Sequence, residues 1–121
     1  MDILIVDDER DLCNILCLIC GRKNLTVSCA YTLVDALKQI DSLPQLMFLD
    51  NNLTDGAGLE AIGSFKARSP HTKIAFITAS TDLEIRNQAL WQGADYFLPK
   101  PFHLQKVREI LSIMEDLQMA I

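Results

Sequence analysis

No apolar run in this chain approaches the ~20 residues that a membrane-spanning helix needs. Its N-terminus also lacks a basic segment leading into an apolar one, the pattern of a secretory signal. Both absences point to a cytoplasmic protein. Basic residues are in short supply too: 11 Lys and Arg against 16 Asp and Glu leave a formal net charge of −5. That balance opposes general attraction to nucleic acid or to an anionic membrane and favours a cationic partner. The chain has no internal repeat, linker or low-complexity tract. With no secretion signal, its four cysteines read as reduced thiols rather than a disulfide framework.

What is present is a globular composition, half apolar and 22% charged over 121 residues. It fits a single domain, residues 1–121, with one real hydrophobic core. Ile3 to Val6, Leu46 to Leu49 and Ile74 to Ile77 are short continuous apolar runs, which suit strands covered on both faces of a parallel sheet. Leu25 to Cys29 alternates apolar and polar and suits an edge strand, and Tyr96-Phe97-Leu98 supplies the fifth.

Between the strands run helical stripes: Leu12, Ile15, Leu16 and Ile19; Leu33, Ala36, Leu37 and Ile40; Val107, Ile110, Leu111 and Met114. A less regular helix is expected over Leu59 to Arg68. Thr32 with Asp35 resembles a capping box, while Asp82 is placed to open a helix that Gly93 can end. The strict alternation of strand and helix predicts a doubly wound α/β fold, five parallel strands with helices on both faces and right-handed crossovers.

In such a sheet ligands sit beyond the carboxyl ends of the strands. Asp7 and Asp8 end the first strand, Asp50 the third and Thr78 the fourth, and Lys100 follows the fifth. Three carboxylates on one rim repel one another unless a hard divalent cation joins them, and magnesium is the natural choice, with manganese a possible substitute. Magnesium usually keeps waters and shares oxygens with a phosphate, so the site implies a phosphoryl group. Lys100 could neutralise it, Thr78 could donate a hydrogen bond to it, and a carboxylate could accept it covalently.

The stretches IVDDE, FLDNNLTDGAGLEAI, FITAS and GADYFLPKPF together resemble the receiver domain of two-component response regulators, along the whole chain. The resemblance implies a flavodoxin-like sheet in the order 2-1-3-4-5 with five helices, and Asp50 as phosphoacceptor. It implies magnesium ligation by Asp8 and Asp50, by Asp7 mainly through water, and by the main-chain carbonyl of Asn52. Lys100 would contact the phosphoryl group, and the bond from Lys100 to Pro101 would be cis. Thr78 would move toward the phosphoryl oxygens, Phe97 would turn inward behind it, and Ala79 would leave room. The implied partners are a histidine kinase or phosphotransfer domain, and an output domain or downstream protein on the face of the fourth helix, fifth strand and fifth helix, where homodimers also form.

The chain departs from the family in having Thr54 where proline is frequent, which predicts a looser turn after Asp50, though Asp55-Gly56 and Gly58 still favour a loop, and His103 where a better helix cap is common. Asn52 and Ser80 occupy positions that tune phosphoryl lifetime in the family. Each site residue also has a plainer reading: Asp7-Asp8 as a solvated strand end, Lys100 as a surface lysine, Thr78 as a strand residue, Phe97 as core and Asn52 as a turn former. Two rivals to the switch are an aspartyl-nucleophile phosphatase and a pseudo-receiver that only binds partners. The phosphatase is opposed by Asn52, since such enzymes place a second Asp there as general acid. Cys13, Cys17 and Cys20 have the C-x₃-C-x₂-C spacing of some iron–sulfur enzymes, but fall along one helix side, where cysteine packs as a small hydrophobe.

Overall fold

The computed structural model describes residues 1–21, 25–101 and 103–119. Phe102, the last residue of the GADYFLPKPF stretch, falls outside them. The elements run β1 (Asp2–Val6), α1 (Arg10–Cys20), β2 (Thr26–Ala30), α2 (Leu33–Gln39), β3 (Leu46–Asp50), α3 (Gly58–Arg68), β4 (Lys73–Thr78), α4 (Leu83–Gln92), β5 (Tyr96–Pro99) and α5 (Leu104–Met119). A 3₁₀ turn over Ile40–Ser42 prolongs α2, and a two-residue hairpin pairs Asn52–Leu53 with Gly56–Ala57 before α3. The five strands form one parallel sheet in the order β2-β1-β3-β4-β5.

Alternation along each strand assigns the two faces. Ile3, Ile5, Phe48, Ala75 and Ile77 point to the side of α1 and α5, where they meet Leu16, Val107, Ile110 and Leu111. Leu4, Val6, Met47, Leu49 and Phe76 point to the side of α2, α3 and α4, where they meet Ala36, Ile40, Ile62, Phe65 and Ala89. Every residue of β3 is buried, which is why its sequence is continuously apolar up to Asp50. Burying a side chain the size of Phe48 or Leu49 contributes about 1.5–3 kcal/mol.

The edge strand begins at Thr26 and ends at Ala30, one residue later than its alternation predicts, because its ladder runs on until Val6 pairs with Ala30. Local helix signals hold. Thr32 Oγ1 accepts from the Asp35 amide at 3.1 Å, and the Asp82 carboxylate accepts from the Glu84 amide at 2.9 Å. Gly93, with φ of 118°, closes α4 in a left-handed conformation. His103 precedes α5, and its carbonyl accepts from the amides of Lys106 and Val107.

Candidate functional site

β1 and β3 are adjacent and parallel, so their carboxyl ends deliver Asp7 and Asp50 to the same rim. One ligand oxygen from each of Asp7, Asp8 and Asp50 lies within 4.8 Å of the others. Asp7 and Asp50 are buried and Asp8 is half-buried. The Asp7 carboxylate is held by the Glu9 amide, which donates to Oδ1 at 2.9 Å. Its other oxygen, Oδ2, and Asp50 Oδ1 are buried with no hydrogen-bond partner among the described residues.

Lys100 enters from the end of β5, with Nζ 3.0 Å from Asp50 Oδ1 and 3.7 Å from Asp7 Oδ2. The shorter contact is an ion pair that holds the ammonium against Asp50. The lysine is placed by its own amide, which donates to the Thr78 carbonyl at 2.8 Å, and by a cis bond to Pro101.

This crowding shifts the charges of the site. Burial, with the nearby Asp50 charge, pushes the Asp7 carboxyl up to about 6 against the lowering pull of the Glu9 amide and Lys100. Burial and the Asp8 charge also raise Asp50, opposed by Lys100. Burial works to lower Lys100, but Asp50 and Asp7 outweigh it and the ammonium is held above its ordinary range. Carboxylates this reluctant to ionise, with Asp7 Oδ2 and Asp50 Oδ1 meeting the Lys100 ammonium but no further donor among the described residues, fit a hard divalent cation.

The remaining expected residues surround this cluster. Thr78 is buried at the end of β4, one step past the residue paired with Asp50, and its Oγ1 accepts from the Ser80 amide at 3.1 Å. That bond leaves the hydroxyl proton available. Ala79 is exposed and Asn52 is exposed at the start of the hairpin. Phe97 is half-buried, with its ring 6.0 Å from that of Phe76 and the Arg86 guanidinium 5.4 Å above it. It lines a groove of about 450 Å³ with Leu83, Arg86, Pro101, His103 and Lys106, on the α4 side of the rim.

Three positioning residues escaped the sequence reading. Gly58 is the first residue of α3 rather than one more loop former, and a Cβ there would lie 2.2 Å from the Asp50 carbonyl oxygen. Asn51 Oδ1 accepts from the Leu59 amide, tying β3 to the start of α3. Asp55 reaches back from the hairpin to accept from the amides of Leu33 and Val34 at 2.8 and 3.1 Å, capping α2. A loop without proline at Thr54 is thus anchored by its neighbour. Only the Asp-Gly pair hinted at it, and it hinted at a turn.

A doubly wound parallel sheet with an acidic triad and a lysine at its carboxyl rim is an arrangement that could hold a divalent cation. The model of the response regulator receiver domain matches residues 3–112, and the chain belongs to that family, the receiver module of two-component signalling. It is 37% identical over 110 residues to the response regulator protein PilR of Pseudomonas aeruginosa, covering 90% of this chain and 25% of that one. It is 31% identical to the transcriptional regulatory protein ZraR of Salmonella typhimurium, covering 92% and 25%. The chain therefore spans about a quarter of the length of these relatives. A two-component response regulator from Clostridium difficile superposes with a TM-score of 0.90 at 26% identity, over 96% of each chain. The receiver domain of NtrX from Brucella abortus does so at 0.83 and 28%, over 93% of this chain and 97% of that one.

Proposed function

We propose that Asp50 is the phosphoacceptor of a switch charged by a histidine kinase or phosphotransfer domain. A carboxylate oxygen of Asp50 attacks the phosphorus of a phosphohistidine, the P–N bond breaks, and the imidazole leaves and takes a proton. The observation that carries this reading is the pair of buried, unsatisfied oxygens on Asp7 and Asp50 beside Lys100. Mg²⁺, or Mn²⁺ in its place, would be held by Asp7, Asp8, Asp50 and the Asn52 main-chain carbonyl, and would offset the repulsion among carboxylates and phosphoryl oxygens. Lys100 keeps its full charge at neutral pH to meet the transferred group, and the Thr78 hydroxyl donates to one of its oxygens.

The signal would be a shift between two arrangements of Thr78 and Phe97, read at the face of α4, β5 and α5. Support for that face comes from its exposed apolar side chains, Leu83, Leu90, Trp91 and Leu104, which suit an output domain, a downstream protein or a second copy. The acidic balance of the domain favours protein partners over direct contact with nucleic acid. Among the described residues no helix is long and apolar enough to cross a membrane. Turnover in this reading is limited to self-dephosphorylation.

Intact mass after incubation with acetyl phosphate tests it. One phosphoryl group should be gained, dependent on Mg²⁺ and absent in Asp50→Ala, and the adduct should survive acid and be lost in base. The same gain in the variant would remove Asp50 from the role, and steady turnover of a phosphomonoester would favour a phosphatase.

A further inference from the structure

Away from the acidic rim, α1 and β2 bring thiols together. Cys17 Sγ and Cys29 Sγ, 12 residues apart in the chain, lie 3.4 Å from each other. Cys13, one turn earlier on α1, adjoins the same group: its thiol is affected by both Cys17 and Cys29. The Cys13 thiol also donates to the Asp7 main-chain oxygen at 3.4 Å. Accessibility separates the cysteines as well. Cys13 and Cys20 are sealed in the core, whereas Cys17 and Cys29 are half-buried at the edge of the sheet. β2 is an edge strand, and Cys17 and Cys29 are each only partly covered, so a small reagent can approach the pair from solvent.

We propose that Cys17 and Cys29 form a dithiol modification site, oxidised to an intramolecular disulfide by exchange with a small disulfide such as oxidised glutathione. The Cys17 thiolate attacks one sulfur of the small disulfide, expelling one thiolate and leaving a mixed disulfide on Cys17. Cys29 then loses its proton and attacks Cys17 Sγ, expelling the second. Two protein thiols and one small disulfide thereby give one protein disulfide and two small thiols. Burial, with the hydrogen bond to Cys17, pushes the Cys29 thiol up to about 12, which makes its thiolate scarce and slows this second step, so the step depends on the 3.4 Å proximity of the two sulfurs. The sulfurs need approach by about 1.4 Å to reach bonding distance.

The link would brace α1 to β2 next to the rim, since the residue after Cys29, Ala30, accepts from the Asp7 amide at 3.0 Å. It uses neither the phosphoacceptor nor its cation, so it stands independently of the proposed function.

The native chain is to be incubated with oxidised glutathione, quenched by alkylation, and analysed by intact mass and by mapping of the cross-linked peptides. The expected result is a species lighter by two hydrogens, carrying a Cys17 to Cys29 link that dithiothreitol reverses. Cys29→Ser should stop at a single glutathione adduct on Cys17, and Cys17→Ser should give no intramolecular link. Peptide mapping of the wild type reads the link directly, so the test survives a variant that folds poorly. Stable adducts on both Cys17 and Cys29, a link through Cys13 instead, or no oxidation without denaturant would each overturn the assignment.

Discussion

The two ends of the sheet treat polar side chains in opposite ways. Where the strands begin, buried and half-buried polar groups are matched to partners. Ser69 and Thr72 share a hydrogen bond at 2.5 Å, and Thr72 Oγ1 also donates to the Pro44 carbonyl. Lys66 Nζ donates to the Thr72 carbonyl at 2.7 Å and to Asp95 at 2.6 Å, and Asp95 accepts from the Ile74 amide at 2.9 Å. Where the strands end, Asp7 and Asp50 are buried with oxygens left over. The first end is arranged for stability. The second carries a standing electrostatic cost that a ligand can relieve.

The largest expected effect breaks the second end by sterics rather than charge. In Gly58→Ala the new methyl would meet the Asp50 carbonyl oxygen at 2.2 Å, so α3 or the end of β3 must move. Overpacking of this kind costs about 1–3 kcal/mol, and here it also displaces the proposed acceptor. Urea unfolding should show the loss, and acetyl phosphate labelling of the folded fraction should slow. Gly63→Ala, in the same helix with nothing closer than 3.9 Å, is the control and should be neutral or slightly stabilising.

Removing a carboxylate should have opposite signs at the two ends. Asp95→Ala strands the Ile74 amide and takes from Lys66 its ion-pair partner, at a cost of about 2 kcal/mol. Asp7→Asn relieves a buried charge and should stabilise the cation-free protein by about 1 kcal/mol at pH 7. The sign follows from the raised carboxyl. Its contribution favours the fold below the ordinary value of 3.8, and is lost as the pH rises through about 6. Melting of the two variants in EDTA across pH 4 to 7 checks both signs. Added Mg²⁺ should raise the melting temperature of the wild type more than that of Asp7→Asn, and an equal rise in both would mean that Asp7 does not face the ion.

This contrast also marks what was legible in the sequence. The apolar runs of β1, β3 and β4 identified the buried strands because a parallel sheet covered on both faces admits little else, and their carboxyl ends then located Asp7, Asp8 and Asp50. Lys100 and Thr78 stood out only in company, as the residues that follow β5 and end β4. What stayed hidden depends on contacts between distant segments. The close approach at Gly58 needs the three-dimensional path of the loop, the reach of Asp55 back to α2 spans 21 and 22 residues, and the meeting of Cys17 with Cys29 follows from how α1 lies on β2. Periodicity reports which way a residue faces, and is silent on which remote residue it meets.

The smallest expected effect refines the comparison, because Asp55 lies at the same end of the sheet as Asp7 yet behaves like the other end. Its carboxylate is exposed, and the amides of Leu33 and Val34 hold it below its ordinary value. A lowered carboxyl contributes stability above the ordinary value and loses it as the pH falls through the folded one, the reverse of Asp7. Asp55→Ala should therefore fray the first turn of α2 at neutral pH and matter progressively less in acid. Amide exchange is the suitable measure: Leu33 and Val34 should lose protection in the variant at pH 7, while Ile5 and Phe48 in the central strands keep theirs. Protection lost equally at all four would mean that the Asp55 contact supports the whole fold, and the division between a satisfied end and a strained one would have to be redrawn around it.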